Sequence, residues 1–554
     1  MRIIFLLASL ILLSACSNQT ETGFVYHNVN GYTLQDGELH QFEALVVENG
    51  KVVATGNAGE ILNNYSDFEK INGNGHTLLP GLIDAHAHVM GLGIQELDVN
   101  VGGIESLDET LQKIEEFAIE HPNREWITGR GWNQVLWEEN EFPTALDLDE
   151  IVSDRPVFLT RIDGHAGWAN SRAMELAGIN QDTENPGGGR IIRNERGEAT
   201  GVFIDAAMNL IENEIPERTE EDRREALQLA MNEMSKHGIT SVHDAGIDVQ
   251  TWNRYKEFAD KGELITRIYA MISGTGSTFD QLSENGPIEG YSNDLLSLRS
   301  VKLYSDGALG SRGAAMLDDY SDDSGNQGLL FNSQEEMNQM LLKGASKGYQ
   351  MNVHAIGDAG NRQVLNGFEY IENELGDQSH MRHRIEHAQV VALEDIPRFK
   401  ELGLIASMQP THATSDMNMA EDRIGSERIQ GAYAWQKFLD QGTVIAAGSD
   451  FPVEDVNPFY GLYSAVTRKD HEGRPPEGWY SEQSLSRIEA LRAFTIDAAY
   501  AAHQEHLIGT LESGKWADFI VIDRDYFEVP ASEIWQIEVL ETWVAGKKVY
   551  QKEN

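Results

Sequence analysis

One cysteine, Cys16, stands in 554 residues. A single thiol has no partner in its own chain, so internal disulfides are excluded in any redox compartment. Positive charge is the second scarcity: 43 lysines and arginines face 89 aspartates and glutamates, a formal charge of −46. Such a chain offers no net positive field to displace the counterions of a polynucleotide, which argues against nucleic acid as a partner. Acidic runs such as EIPERTEEDRREA read as solvated helix faces. Low-complexity tracts, Pro-rich linkers and short-period repeats are missing as well. No glycine-rich phosphate loop follows a strand, because SDGALGSRG lacks the required lysine spacing, so no nucleotide cofactor is expected. The length is too great for one small core and implies a large domain with satellites, or two to four units.

The longest apolar stretch at the N-terminus, residues 3–13, is too short to span a bilayer comfortably. It follows a short positive start, Met1-Arg2, and precedes Leu13-Ser14-Ala15-Cys16. This segment resembles a bacterial lipoprotein signal. The resemblance implies a signal peptide over 1–15, a lipidated Cys16, and a tether over 16–22. By resemblance to envelope sorting rules, Ser17 rather than aspartate after the cysteine implies the outer membrane of a Gram-negative cell, with the protein facing the periplasm.

What is present is a recurring pattern of strand ends. In LLPGLIDAHAHVM an apolar run closes on His86 and His88. Side chains alternate faces along a strand, so both imidazoles point one way, about 7 Å apart. Such a pair suits a metal, and taken alone it suits a hydrogen-bonded pair equally well. The pattern then returns. GITSVHDAG ends in His243 and Asp244, LITRIYAMIS follows, and LRSVKLYSDG carries Lys302 and Asp306. GYQMNVHAIGD ends in His354 and Asp358, HRIEHAQ holds His387, GLIASMQPTH ends in His412, and GTVIAAGSDFP ends in Asp450. Amphipathic helical stretches such as SQEEMNQMLLKGASK and LEDIPRFKEL separate most of them. Eight strands alternating with helices predict an α/β fold, a (β/α)8 TIM barrel with its reactive groups at the C-terminal strand ends.

The distance from the first strand to the second exceeds a normal βα connection, so residues 91–232 form an α+β insertion, with the role of a lid over the barrel mouth. Ser106-Leu107-Asp108-Glu109 reads as a capping box that starts a helix running towards His121. GGGRIIRNERGEATGVF reads as a hairpin turning at Arg196-Gly197. Short β runs at both chain ends, 23–80 and 505–554, predict a small β-sandwich beside the barrel. The barrel itself then comprises 81–90 and 233–504.

The ionisable residues His86, His88, Lys302, His354, His387 and Asp450 all fall on these strands or their ends. Imidazole and carboxylate donors suit zinc, and a catalytic site leaves a position open. Lys302 is the odd member, since an ammonium repels cations. Alternation places Lys302, Tyr304 and Asp306 on one face of their strand and Val301 and Leu303 on the other, so Lys302 faces the interior. A buried lysine needs a counter-charge or must lose its own charge, and carboxylation by CO2 is one solution.

LLPGLIDAHAH, GRGWNQVLWEE, RIDGHAGWANSRAMELAGI, GVFIDAAM, GITSVHDAG, VKLYSDGALGSRGAA, MNVHAIGDAGN, RIEHAQ, AAGSDFPV and GTLESGKWADFIVID cover nearly all of the chain after residue 22. Together they resemble the amidohydrolase superfamily, and more closely its amidohydrolase family 3 branch, which includes N-substituted formamide deformylases. The resemblance implies one or two divalent metals, zinc by expectation. His86 and His88 would hold the more buried one with Asp450, and a carboxylated Lys302 would bridge to a second held by His354 and His387. Asp450 would act as general base and then general acid. Other candidates are His165 as a hydrogen-bond donor to the substrate, Arg312 for a substrate carboxylate, and Trp132 and Trp137 for an apolar pocket. Each also has a structural alternative: packing or capping, an ion pair, or the core. The implied activity is hydrolysis of a carbon–nitrogen bond in a small linear amide such as an N-formyl or N-acyl amine. A cyclic amide, carbamate or amidine substrate, or a non-catalytic envelope lipoprotein, are the competing readings. The expected partner is a small molecule, and a homodimer is left open.

Overall fold

The computed structural model describes residues 23–553, apart from residues 36, 139, 162 and 163. The expected signal peptide, Cys16 and the tether lie outside the described residues. Eight parallel strands form the centre: β1 Leu82–Ala87, β2 Ile239–Ile247, β3 Arg267–Ser273, β4 Leu296–Tyr304, β5 Gln350–Ala355, β6 Arg384–His387, β7 Ile405–Met408 and β8 Ile445–Ala447. They pair in chain order from β1 to β8, and each is one of the eight runs expected from the sequence. The ends meet beyond β8: the Asp450 N–H donates to His86 O at 2.8 Å and the His88 N–H to Phe451 O at 2.9 Å. The fully buried Asp84 carboxylate reinforces this seam by accepting from the Ser449 hydroxyl at 2.6 Å and from its N–H. The chain is a (β/α)8 barrel.

Period-two alternation sorts the strand side chains. On β4, Val301 and Leu303 pack outwards in one apolar cluster with Met337 and Leu341 of the helix Gln334–Ala345. Full burial of such side chains contributes about 1.5–3 kcal/mol each. Ser333 caps that helix in a reciprocal box with Glu336, which satisfies backbone donors otherwise left open. The alternate positions Ser300, Lys302, Asn352, Arg384 and Glu386 are buried as well. The barrel interior is therefore polar.

Both chain ends enter one eight-stranded sheet, in which Phe519–Ile522 runs antiparallel to Thr77–Pro80. Its strands enclose a common core: Tyr26, Phe42 and Leu45 from the N-terminal part share a cluster with Phe519, Val521 and Trp543. The segment between β1 and β2 carries a six-stranded sheet with its own core around Trp132, Trp137 and Trp168. Ser106 caps the helix Leu107–Glu120, and Gly197 takes the left-handed turn (φ 79°) between Gly189–Arg193 and Ala199–Asp205. Arg218 clasps both oxygens of Asp98 at 2.6 and 2.7 Å, tying the segment's return to its exit. Among the described residues no helix is long and apolar enough to cross a membrane.

Candidate metal centre

His86 on β1 is fully buried, and His88, just past the strand, is about one-third exposed. Their rings stand 5.7 Å apart, as two residues on one strand face should. The end of β6 would send His387 outwards with Ile385 if alternation held. Instead its backbone turns left-handed (φ 73°), and its ring lies 4.9 Å from His86 and 4.5 Å from His354. Asp450 after β8 is also left-handed (φ 65°). Such a conformation costs about 1–2 kcal/mol per residue, and here it brings two side chains to the same focus.

Asp450 lies between the histidines. Its Oδ1 is 3.2 Å from His88 Nε2 and 3.6 Å from His86 Nε2, and its Oδ2 is 3.7 Å from His412 Nε2. The buried Asp450 Oδ1, His354 Nε2 and His412 Nε2 have no hydrogen-bond partner among the described residues. Donors on one tetrahedral zinc, with bonds of about 2.0–2.1 Å, stand about 3.3 Å apart. His86, His88 and Asp450 therefore fit a divalent cation, their donor atoms all lying within 4.8 Å of one another. Burial would raise the Asp450 carboxyl, but the adjacent His88 imidazole and the fields of His86, His412 and Lys302 outweigh it and bring the group to about 2.

The surrounding groups set the imidazoles for ligation. Glu386 accepts from His86 Nδ1, and the Gln409 Oε1 carbonyl accepts from His387 Nδ1 at 2.8 Å. An Nδ1–H committed in this way leaves Nε2 with its lone pair. Burial, with the Lys302 charge second, lowers His86 to about 4 and His354 to about 3, so both are neutral at pH 7. Glu386 stays ionised in spite of burial because Arg384, His86 and Lys302 surround it. Arg384 forms an ion pair with it, Nε lying 2.8 Å from Oε1, and its Nη2 donates to Glu386 Oε2 at 3.2 Å and to Ser407 Oγ at 2.8 Å. Lys302 Nζ lies 2.9 Å from His86 Nε2. Burial takes that ammonium down to about 8, although Glu386 and Asp450 favour its charge.

The structure thus gathers His86, His88, Lys302, His354, His387 and Asp450 at one end of the barrel. The other candidates have partners of their own. Trp132 has no exposed surface: it sits in the core of the inserted segment with its indole N–H donating to Leu159 O at 2.9 Å, so it lines no open pocket. Trp137 packs in the same core. Arg312 spends its guanidinium fork on Asp322, at 3.1 and 2.9 Å, which is the structural ion pair set against its reading as a receptor for a substrate carboxylate. His165 is three-quarters exposed and shares a 2.8 Å hydrogen bond with Asp205. His412, Glu386 and Gln409 belong to the centre and were absent from the expected ligand set. His412 carried the same signal as the others, a histidine at a strand end.

A parallel barrel whose strand ends converge histidines and a carboxylate on one point defines a barrel hydrolase built around a metal centre. Residues 69–550 match the profile of the amidohydrolase family. The chain is 31% identical to the putative amidohydrolase YtcJ of Bacillus subtilis, over 95% of this chain and 99% of that protein. It is 27% identical to the N-substituted formamide deformylase of Arthrobacter pascens, over 92% and 95%. The crystal structure of an uncharacterized metal-dependent hydrolase from Pyrococcus furiosus superposes with a TM-score of 0.74 at 27% identity, covering 91% of this chain and all of that one. This chain belongs to the amidohydrolase family and is a hydrolase of carbon–nitrogen bonds other than peptide bonds.

Proposed function

We propose that the protein hydrolyses a small linear amide of the N-formyl or N-acyl amine type, using zinc at the barrel mouth. The observation that carries this reading is the anionic Asp450, placed within 3.2–3.7 Å of three imidazole nitrogens. The formamide deformylase of Arthrobacter pascens supports the choice of substrate class. His86, His88 and Asp450 would hold one cation, and Lys302, His354 and His387 would contribute to a second. A bound zinc supplies a Lewis acid and a more acidic water at neutral pH. Asp450 accepts the proton of the attacking water and returns it to the amine nitrogen, which leaves poorly unless protonated. Its low proton affinity keeps it ionised throughout the neutral range. Lys302, lowered to about 8, keeps roughly a tenth of its population as neutral amine at pH 7. That amine attacks CO2 and loses a proton, giving an anionic carbamate able to bridge cations. The inserted segment would act as a lid that brings His165 towards the substrate carbonyl.

Cys16 anchors the mature chain to the periplasmic face of the outer membrane, a reading supported by the signal-like residues 1–15. The decisive experiment is turnover of a panel of N-substituted formamides, N-acyl amines, cyclic amides, carbamates and amidines by zinc-loaded protein. Hydrolysis of the linear amides is expected. Turnover confined to cyclic substrates, carbamates or amidines would replace this reading with one of its relatives.

A further inference from the structure

We propose that His412 is a cation ligand and that Asp450 is itself a bridge, with one oxygen on each of two metal positions. This deepens the metal-dependent reading above and rests on it. His387, His412 and Asp450 form a second set of three donors within 4.8 Å of one another, separate from His86, His88 and Asp450. Asp450 is the one residue common to both sets. Its oxygens divide between them: Oδ1 faces His86 and His88, whereas Oδ2 lies 3.7 Å from His412 Nε2. A separation of 3.7 Å is too long for a hydrogen bond and close to the edge of a coordination polyhedron, about 3.3 Å for zinc.

The local chain is built to present this pair. Gln409 and His412 both come from the turn after β7, where the helix Pro410–Asp416 begins. Gln409 fixes His387 by accepting from its Nδ1 at 2.8 Å, and three residues on His412 offers a buried Nε2 with no partner among the described residues. The rings of His387 and His412 lie 5.8 Å apart and nearly parallel, at 19°. At the far end of the same helix, Asp416 accepts from Tyr433 Oη at 2.6 Å and Gln389 Nε2 at 2.8 Å, which holds the helix in place. An unpartnered buried imidazole nitrogen facing a carboxylate across such a gap is a ligand position rather than a packing contact.

The experiment is zinc titration of metal-stripped protein by calorimetry, with elemental analysis of the loaded product, for wild type, His412→Asn and His412→Gln. Wild type is expected to take two zinc ions per chain. Both variants are expected to keep the first and to lose the second or bind it at least tenfold more weakly, with far-UV circular dichroism unchanged. Loading with manganese gives an independent readout: an exchange-coupled pair in wild type, and an uncoupled spectrum in the variants. Two zinc ions bound with unchanged affinity in a natively folded His412→Gln overturn the proposal and leave metal-dependent hydrolysis standing. A single zinc in wild type overturns the second position alone. No zinc in wild type overturns this proposal and the metal-dependent reading together.

Discussion

The Glu386 carboxylate accepts the Nδ1 proton of His86 in a pair from which solvent is fully excluded. The two residues are 300 positions apart in the chain, and β6 and β1 bring them across the barrel interior. Glu386 is in turn gripped by Arg384, so the orientation of His86 is set by a chain of buried charges. Replacing Glu386 with Gln keeps the volume but removes the anion that orders this chain. Loss of such an outer partner lowers metal affinity about 10–100-fold. Competition with a coloured chelator measures that fall, and affinity within twofold of wild type refutes the role. Glu386→Ala leaves Arg384 buried without its partner, and about 3–5 kcal/mol of stability should be lost with it, read from denaturant unfolding.

Asp450 has a chemical as well as a binding role, and the two separate in a conservative variant. Asp450→Asn retains an oxygen donor but cannot accept and return a proton. Loss of a positioned acid–base group lowers turnover by about 10²–10⁴-fold. Steady-state kinetics on the best linear amide, after confirming zinc content, test this. A kcat within tenfold of wild type assigns proton transfer to another group.

The strand ends made the barrel legible, because eight β-rich runs, seven of them closing on ionisable residues, each proved to be a strand. The ligand cluster followed from the same pattern, and by that rule His412 had equal standing with His354 and His387. The family resemblance implies six ligand positions, and His412 is not among them. Glu386 was harder to find. HRIEHAQ places Arg384 and Glu386 on the inward face by alternation, but nothing in one chain reveals that the partner of Glu386 is His86. His387 breaks that alternation outright, and only its left-handed backbone explains how it reaches the centre. Arg312 and Trp132 show the opposite failure. A motif marks a residue without telling whether its fork is already filled by Asp322 or its ring already packed against Trp137 and Trp168.

Those two placements make a prediction about stability rather than chemistry. Trp132→Ala removes the centre of the inserted segment's core and its bond to Leu159 O, and should destabilise by about 3–5 kcal/mol. Arg312→Ala removes one of two arginines on Asp322 at a partly exposed site, where such pairs are worth about 0–1 kcal/mol. Denaturant midpoints should move far for the first and little for the second, with KM for neutral amides unchanged in Arg312→Ala. A KM raised tenfold or more in that variant would return Arg312 to the substrate site.

Lys302 offers a test that needs no substitution at first. If its neutral amine takes up CO2, reconstitution of stripped protein with zinc should be slow in CO2-free buffer and faster on adding bicarbonate. The sign with pH follows from burial, which lowers Lys302 to about 8. The neutral fraction grows as pH rises towards 8, so recovery at a fixed partial pressure of CO2 should speed up between pH 6.5 and 8, by about tenfold per pH unit at the acid end. Lys302→Ala should lose the bicarbonate effect and bind less zinc. Equal recovery rates with and without bicarbonate would make Lys302 a plain amine that hydrogen-bonds His86 Nε2, and the bridge between cations would then fall to Asp450 alone.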